Sequence, residues 1–317
     1  MAYALDGKMV IGVSSRALFD LTVENRIFEE QGLDAYQEYQ ITHENEVLGK
    51  GPGFSLIKNL LALNELLPEE RPVEVIIMSR NSTNTSLRVF NSIKHYGLDI
   101  TRAVLVSGAQ LSPYLKAFRT DLFLSAYEDD VQNAIDSGIA AGIICTDHIY
   151  EEREDGSIRI AFDGDAVIFD DSSELVYKQG GLKAFEENEA RNADTPLEEG
   201  PFAGFLRKLS AIQEKLGPDN CPIRTALVTS RNAPAHERVI KTLRAWNVRL
   251  DEALFLGGIE KKDFLKAFGA QIFFDDQSVH TLPASEEVPS ARVPYRGGAL
   301  GGEDGGETAV NGPGDTP

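Results

Sequence analysis

Several positions of this 317-residue chain carry groups that could do chemistry, each in or just after a short apolar run. They are Asp163 and Asp165 in FDGD, Thr229 with Ser230 in LVTS, Lys261 in GGIEKK, and Asp275-Asp276 in IFFDD. Strand ends at the carboxyl edge of an open α/β sheet converge on one crevice, so Asp163, Thr229 and Asp275 are predicted to meet. Carboxylates that face one another are costly unless a cation sits between them, and hard oxygen ligands select Mg²⁺. An aspartate can attack phosphorus and split hydrolysis into two displacements. A second carboxylic acid can protonate the leaving oxygen and later activate water. A hydroxyl and a lysine can hold the equatorial oxygens as charge spreads over them. Alone, DGD reads equally well as a solvated turn, and Asp276 as the N-cap of a following helix. The joint presence of all these groups favours chemistry.

The elements that must position them form an internal repeat with a period of about 150 residues. IIMSRN (76–81) resembles ALVTSRN (226–232). GLDITRAVLVSGAQLSPYLKAF (97–118) matches NVRLDEALFLGGIEKKDFLKAF (247–268), and DLFLSA (121–126) matches QIFFDD (271–276). VIGVSSRALFD (10–20) lines up with RIAFDGDAVIFD (159–170), and Gly51-Pro52 with Gly200-Pro201. In the second copy strands are predicted at 158–162, 223–228, 253–256 and 271–274. A helix is predicted at 235–246, with Val239, Ile240, Leu243 and Trp246 on one face. Alternating strand and helix implies βαβ units: an α/β fold of two related Rossmann-like halves with parallel sheets. The predicted division is 1–150 for the first half, 151–296 for the second and 297–317 for a disordered Gly-rich acidic tail. Residues about 171–221, with Tyr177, Phe185, Phe202 and Phe205, read as a helical cap in the second half.

The copies differ where chemistry would occur. Ser14-Ser15-Arg16 stands against Asp163-Gly164-Asp165, Leu111 against Lys261, and Ser125-Ala126 against Asp275-Asp276. The active site is therefore expected in the second copy, with the first in a supporting role. Arg231 and Asn232 are candidates for substrate binding, and so are Arg80 and Asn81 if each half lends a loop to one nucleotide. The recurrence of Ser-Arg-Asn in both copies fits helix capping as well.

FDGDAVIFDD, LVTSR, GGIEKK and IFFDDQ resemble, in order, the four motifs of the haloacid dehalogenase superfamily of phosphatases. The combination FDGDAV, VTSRN, KTLRAW, ALFLGG and FFDDQ is similar to the cytosolic 5′-nucleotidases of the AMP-preferring class and their bacterial relatives. With SRN…LRVFNSIKHYGLDITRA in the first copy, the likeness covers about residues 5–296. It implies that Asp163 is the nucleophile and Asp165 the general acid/base. Phosphate would be held by Thr229, Ser230 and Lys261, with Lys262 the alternative lysine, because GIEKKD lacks the glycine or proline expected beside it. Mg²⁺ would be held by Asp163, the Asp165 backbone carbonyl and Asp275, assisted by Asp276. The substrate implied is a nucleoside 5′-monophosphate, and a homo-oligomer is implied as well. The motifs alone also fit a phosphatase of sugar phosphates or other small monoesters. A catalytically silent nucleotide-binding regulator is the third reading, and the intact charged set speaks against it.

Bulk properties agree. A net charge of −19 disfavours a nucleic-acid polymer as partner. There is no run long enough to span a bilayer and no signal-peptide pattern, so no membrane is expected. Cys145 and Cys221 form no disulfide-like or metal-like spacing, which fits a reducing cytoplasm.

Overall fold

A computed structural model describes residues 4–297 except 152 and 154. Of the expected disordered tail, 297–317, all but Gly297 lies outside the described residues. The first half runs β1 (Met9–Val13), α1 (Thr22–Thr42), α2 (Phe54–Leu66), β2 (Val73–Ser79), α3 (Leu87–His95), β3 (Arg102–Leu105), α4 (Ser112–Ala117), β4 (Leu122–Ser125), α5 (Glu128–Asp136) and β5 (Ala140–Ile144). The second half repeats it: β6 (Ile158–Phe162), α6 (Ser172–Arg191), α7 (Ala203–Leu216), β7 (Ile223–Thr229), α8 (His236–Ala245), β8 (Glu252–Phe255), α9 (Lys262–Phe268), β9 (Ile272–Asp275), α10 (Ser278–Ser285) and β10 (Ser290–Arg292). The four strands and the helix expected in the second copy are therefore present, each within a residue or two. Valine, isoleucine and leucine supply most of the buried runs of β2 and β7, as strands covered on both faces require.

The halves do not carry separate sheets. Ten strands join in one, in the order β8-β7-β6-β9-β10-β5-β4-β1-β2-β3, and Phe19–Asp20 pairs antiparallel with Gly49–Lys50 apart from it. Within each half of the large sheet pairing is parallel. At the seam, β10 runs antiparallel to β5, with Ala291 opposite Ile144 and Arg292 opposite Ile143. Gly142 makes that approach possible, since a Cβ there would lie 2.9 Å from the Ala291 Cβ and 3.1 Å from the Phe274 ring. Helices clasp the seam reciprocally: Asn59 of α2 donates to the Ser157 carbonyl (2.9 Å), and Lys208 of α7 to the Lys8 carbonyl (2.7 Å). One apolar cluster, including Ile11, Phe123, Phe162 and Phe274, runs through both halves.

The antiparallel seam has a consequence for function. The carboxyl ends of the two halves' strands point to opposite edges of the sheet, and β1 and β6 lie five strand spacings apart, ~24 Å. The expectation that the first copy walls the same nucleotide pocket is thereby overturned.

The cap also differs from expectation. Phe202 and Phe205 are buried against Phe162 and Phe274, so α7 belongs to the layer flanking the sheet. The element over the second-half site is α6 alone. The first half has its own counterpart in α1. Each is broken into two helical pieces at a glycine in the left-handed region, Gly181 (φ 71°) and Gly32 (φ 83°).

Gly200 seals the base of the α6 segment: its N–H donates to the Ile168 carbonyl (2.9 Å), and an added Cβ would sit 2.2 Å from the Phe169 carbonyl oxygen. Backbone on the other side of that contact cannot rotate away. Gly200→Ala is therefore expected to lower stability by about 1–3 kcal/mol, as overpacking does, measured by urea unfolding. An unchanged midpoint would show that the loop gives way freely.

Candidate active site

The second-half residues meet at the carboxyl edge of β6, β7 and β9. Asp163 leaves β6 with its N–H donating to the Phe274 carbonyl (2.7 Å). Asp275 ends β9, and its Oδ1 accepts the Gln277 N–H (2.9 Å). Thr229 ends β7, its Oγ1 accepting the Arg231 N–H (3.2 Å). Lys261 is buried at the start of α9, its Nζ 2.8 Å from Asp163 Oδ1 and 2.6 Å from Asp275 Oδ2. Lys262 instead turns outward to Glu286, which separates the two lysines. Asp276 does not cap α10, since Gln277 precedes that helix. It points into the cluster and accepts from the Tyr295 hydroxyl.

Carboxylate oxygens of Asp163, Asp275 and Asp276, all buried, lie within 4.8 Å of one another. Burial pushes the Asp163 carboxyl up to about 6 against the opposing pull of Lys261. Burial raises Asp275 as well, and raises Asp276 strongly, with Asp275 and Asp163 adding to it. Lys261 stays above its ordinary value because the two aspartates outweigh its own burial. Asp163 Oδ1 contacts Lys261 ionically without an aligned hydrogen bond, and Asp276 Oδ1 has no donor at all. Buried carboxylate oxygens left in this condition are a fit site for a hard divalent cation.

Asp165 points the other way. Ala166 beside it adopts φ 59°, and this turn brings the Asp165 carboxylate onto Arg231 in a two-bonded pair (2.8 and 2.6 Å). Arg231 is itself buried and donates to Glu189 of α6 (2.6 Å), which also accepts from Arg238 (3.0 Å) and Ser173 (3.0 Å). Arg231 is held above its ordinary value, its burial outweighed by Asp165 and Glu189. Glu189 sits below the ordinary glutamate range, since the two arginines outweigh its burial. The guanidinium thus ties the cap to Asp165.

Between cap and strand ends lies a cavity of about 470 Å³, a size suited to a small ligand. Asp163, Asp165, Thr229, Ser230, Arg231 and Asn232 line it. Tyr177 and Phe185 of α6 edge it, their rings 6.4 Å apart and perpendicular. His280 also lines it, its pKa lowered by burial and by Lys261. Arg80 and Asn81 do not reach this cavity; they line another, in the first half. The apparent match of their Ser-Arg-Asn to 230–232 is one residue out of register. Ser79 and Thr229 are the equivalent strand-end hydroxyls, each accepting the N–H two residues on, from Asn81 and Arg231.

The sequence did not single out Glu189, Glu174 or Tyr295. Glu174 accepts from Gln277 (3.3 Å) and from the Tyr295 hydroxyl (3.3 Å), latching the cap to the strand ends. Both glutamates sit in a stretch crowded with charge, where no local pattern marks one from another.

The mostly parallel sheet with its flanking helices is an α/β arrangement consistent with the haloacid-dehalogenase-like halves expected. A family model described as 5′-nucleotidase matches residues 1–299, and the chain belongs to that family. It is 40% identical to human cytosolic 5′-nucleotidase 1B over 282 residues, 86% of this chain and 46% of the relative. The chain thus spans about half the length of the curated relative it matches.

Two outcomes test the geometry without any assay of turnover. Added Mg²⁺ is expected to stabilise the chain, by about 2.7 kcal/mol at a hundredfold excess over its Kd. Asp275→Asn should abolish that gain in thermal melts; an equal gain in the variant would place the cation elsewhere. Glu189→Ala removes one of the two carboxylate partners of Arg231 and one acceptor of Arg238, and should cost about 1–3 kcal/mol in urea unfolding, as leaving buried donors unsatisfied does. A loss under 1 kcal/mol would remove Glu189 from the framework of the site.

Proposed function

We propose that the chain hydrolyses nucleoside 5′-monophosphates, AMP-like, to nucleoside and phosphate. The observation that carries this reading is the meeting of Asp163, Lys261 and Asp275 beneath a cavity that also holds Thr229. Family membership supports it, and the relative's name refers to the same activity. The 5′-phosphate would enter between Thr229, Ser230 and Lys261. An Asp163 carboxylate oxygen attacks phosphorus while the bond from phosphorus to the 5′ oxygen breaks. Asp165, released from the Arg231 fork and protonated, would give that proton to the leaving oxygen. It then takes a proton from a water whose oxygen attacks the phosphorus, breaking the bond to Asp163 and releasing phosphate.

Arg231 acts through Asp165 as a positioning residue, because both faces of its guanidinium fork are already occupied by carboxylates. Asp163, the Asp165 carbonyl, Asp275 and Asp276 would hold Mg²⁺, which when bound offsets negative charge on the phosphoryl oxygens. Tyr177, exposed at the rim and backed by the buried Phe185, offers an aromatic surface there, which favours a substrate with a base over a bare sugar phosphate. Asn232, exposed at the same rim, is placed to meet the sugar or base. The halves 1–150 and 151–296 are assigned as supporting and catalytic domains. Among the described residues no helix is long and apolar enough to cross a membrane. A cytoplasmic, homo-oligomeric enzyme is the accompanying reading.

Phosphate release from AMP should stop in excess chelator and return with Mg²⁺. Asp163→Asn should lower turnover at least about a thousandfold, as loss of a nucleophile does, with the mass checked to exclude reversion to aspartate. Turnover within tenfold of the parent would sink the nucleophile assignment. Faster release from ribose 5-phosphate than from AMP would move the substrate class to sugar phosphates.

A further inference from the structure

The first half retains a cavity of about 360 Å³ at its own strand ends, on the opposite edge of the sheet from Asp163. It is built as the active site is, with the same cap (α1) over the same elements. Its chemistry is inverted. Ser14, Ser79 and Ser125 stand where the second half has Asp163, Thr229 and Asp275. The Ser79 and Ser125 hydroxyls accept the N–H two residues on, from Asn81 and Tyr127, as Thr229 and Asp275 do, and Ser14 accepts from Ala17. Arg16 takes the place of Asp165.

The acids at hand are already committed: Glu24, in the lining, pairs with Arg88, and Asp130, behind it, accepts two bonds from Arg80 (2.9 Å each). Arg16 donates only to the neutral Asn25 (3.1 Å), and among the described residues it has no carboxylate partner. Its Nε is buried with no acceptor. The Asn81 Nδ2 is likewise a buried donor with no acceptor, while its Oδ1 is held by the Tyr36 hydroxyl (3.0 Å). Two unsatisfied donors and one unpaired cation call for an anion. Apolar surface surrounds them: Phe28 stands edge-on to Tyr36 at 5.9 Å, and Tyr127 lies under Arg80 at 5.4 Å.

We propose that this cavity is a second binding site, which takes a nucleoside phosphate without metal and without hydrolysing it. Arg16 and Asn81 receive the phosphate, and the rings of Phe28, Tyr36 and Tyr127 receive the base. No carboxylate there is free to cage a cation or to attack phosphorus. The site is independent of the catalytic reading given above.

Metal removal separates the two sites. In excess chelator the second-half cluster of carboxylates repels phosphate, whereas the Arg16 cavity is unaffected. Equilibrium dialysis of labelled AMP against the full chain in chelator should give one bound ligand per chain. Arg16→Gln and Asn81→Ala should each weaken it at least tenfold with unchanged melting temperature, and adenosine should bind at least tenfold more weakly than AMP. If Arg16→Gln fails to fold, Asn81→Ala carries the test. Absence of binding in chelator at millimolar AMP would overturn the proposal. So would equal affinity in the folded variants, or equal affinity for adenosine. Because no turnover is read, failure of the hydrolytic reading would leave this result intact.

Discussion

Three buried carboxylates gathered at one sheet edge are the constraint around which the second half is arranged. Asp163, Asp275 and Asp276 are too close and too dry to carry their charges unaided. Lys261 lies between two of them, and Tyr295 reaches the third from the end of the described chain. Even so, Asp276 Oδ1 finds no donor. A fold that only had to be stable would do better with apolar side chains here. The residual demand for positive charge is what suits the cluster to a cation and a phosphate together.

The cap is bound into the same electrostatics. Glu189 and Glu174 descend from α6 and are met by Arg231 and by Gln277 with Tyr295. Closure over the cavity therefore depends on a charge pair that ends on Asp165 and on hydrogen bonds that end beside Asp275. Buried pairs of this kind add little net stability, but they fix geometry, since each side chain left alone would be costly. Lid position and orientation of the proposed acid/base are one mechanical unit.

Duplication explains the rest of the architecture. Each half has the same strand order, and the antiparallel seam closes two parallel sheets into one while sending their functional edges apart. The first half kept the hydroxyls that shape its loops and lost the carboxylates that would need a cation. What replaced them is a positively charged, aromatic-walled cavity instead of a filled core.

Much was legible in the residues alone. Apolar runs of strand length, separated by helical spacing, placed β6, β7, β8, β9 and α8 because burial on both faces leaves a periodic trace in the chain itself. The repeat with its asymmetric charges located the carboxylate–lysine cluster in the second half, since strand ends of a parallel sheet must converge. Other features were decided only in three dimensions. The direction of β10 against β5 depends on packing at Gly142, Phe274 and Ala291, and no local pattern encodes it. The inward turn of Lys261 and the outward turn of Lys262 depend on which face of α9 meets the sheet. Arg231 joins Asp165 to Glu189, residues far apart in the chain whose charges look like any others in an acidic sequence. Phe202 and Phe205 share their apolar character with Tyr177 and Phe185, yet two are core and two edge the cavity. Residue type states a tendency to be buried; only tertiary contact determines against what.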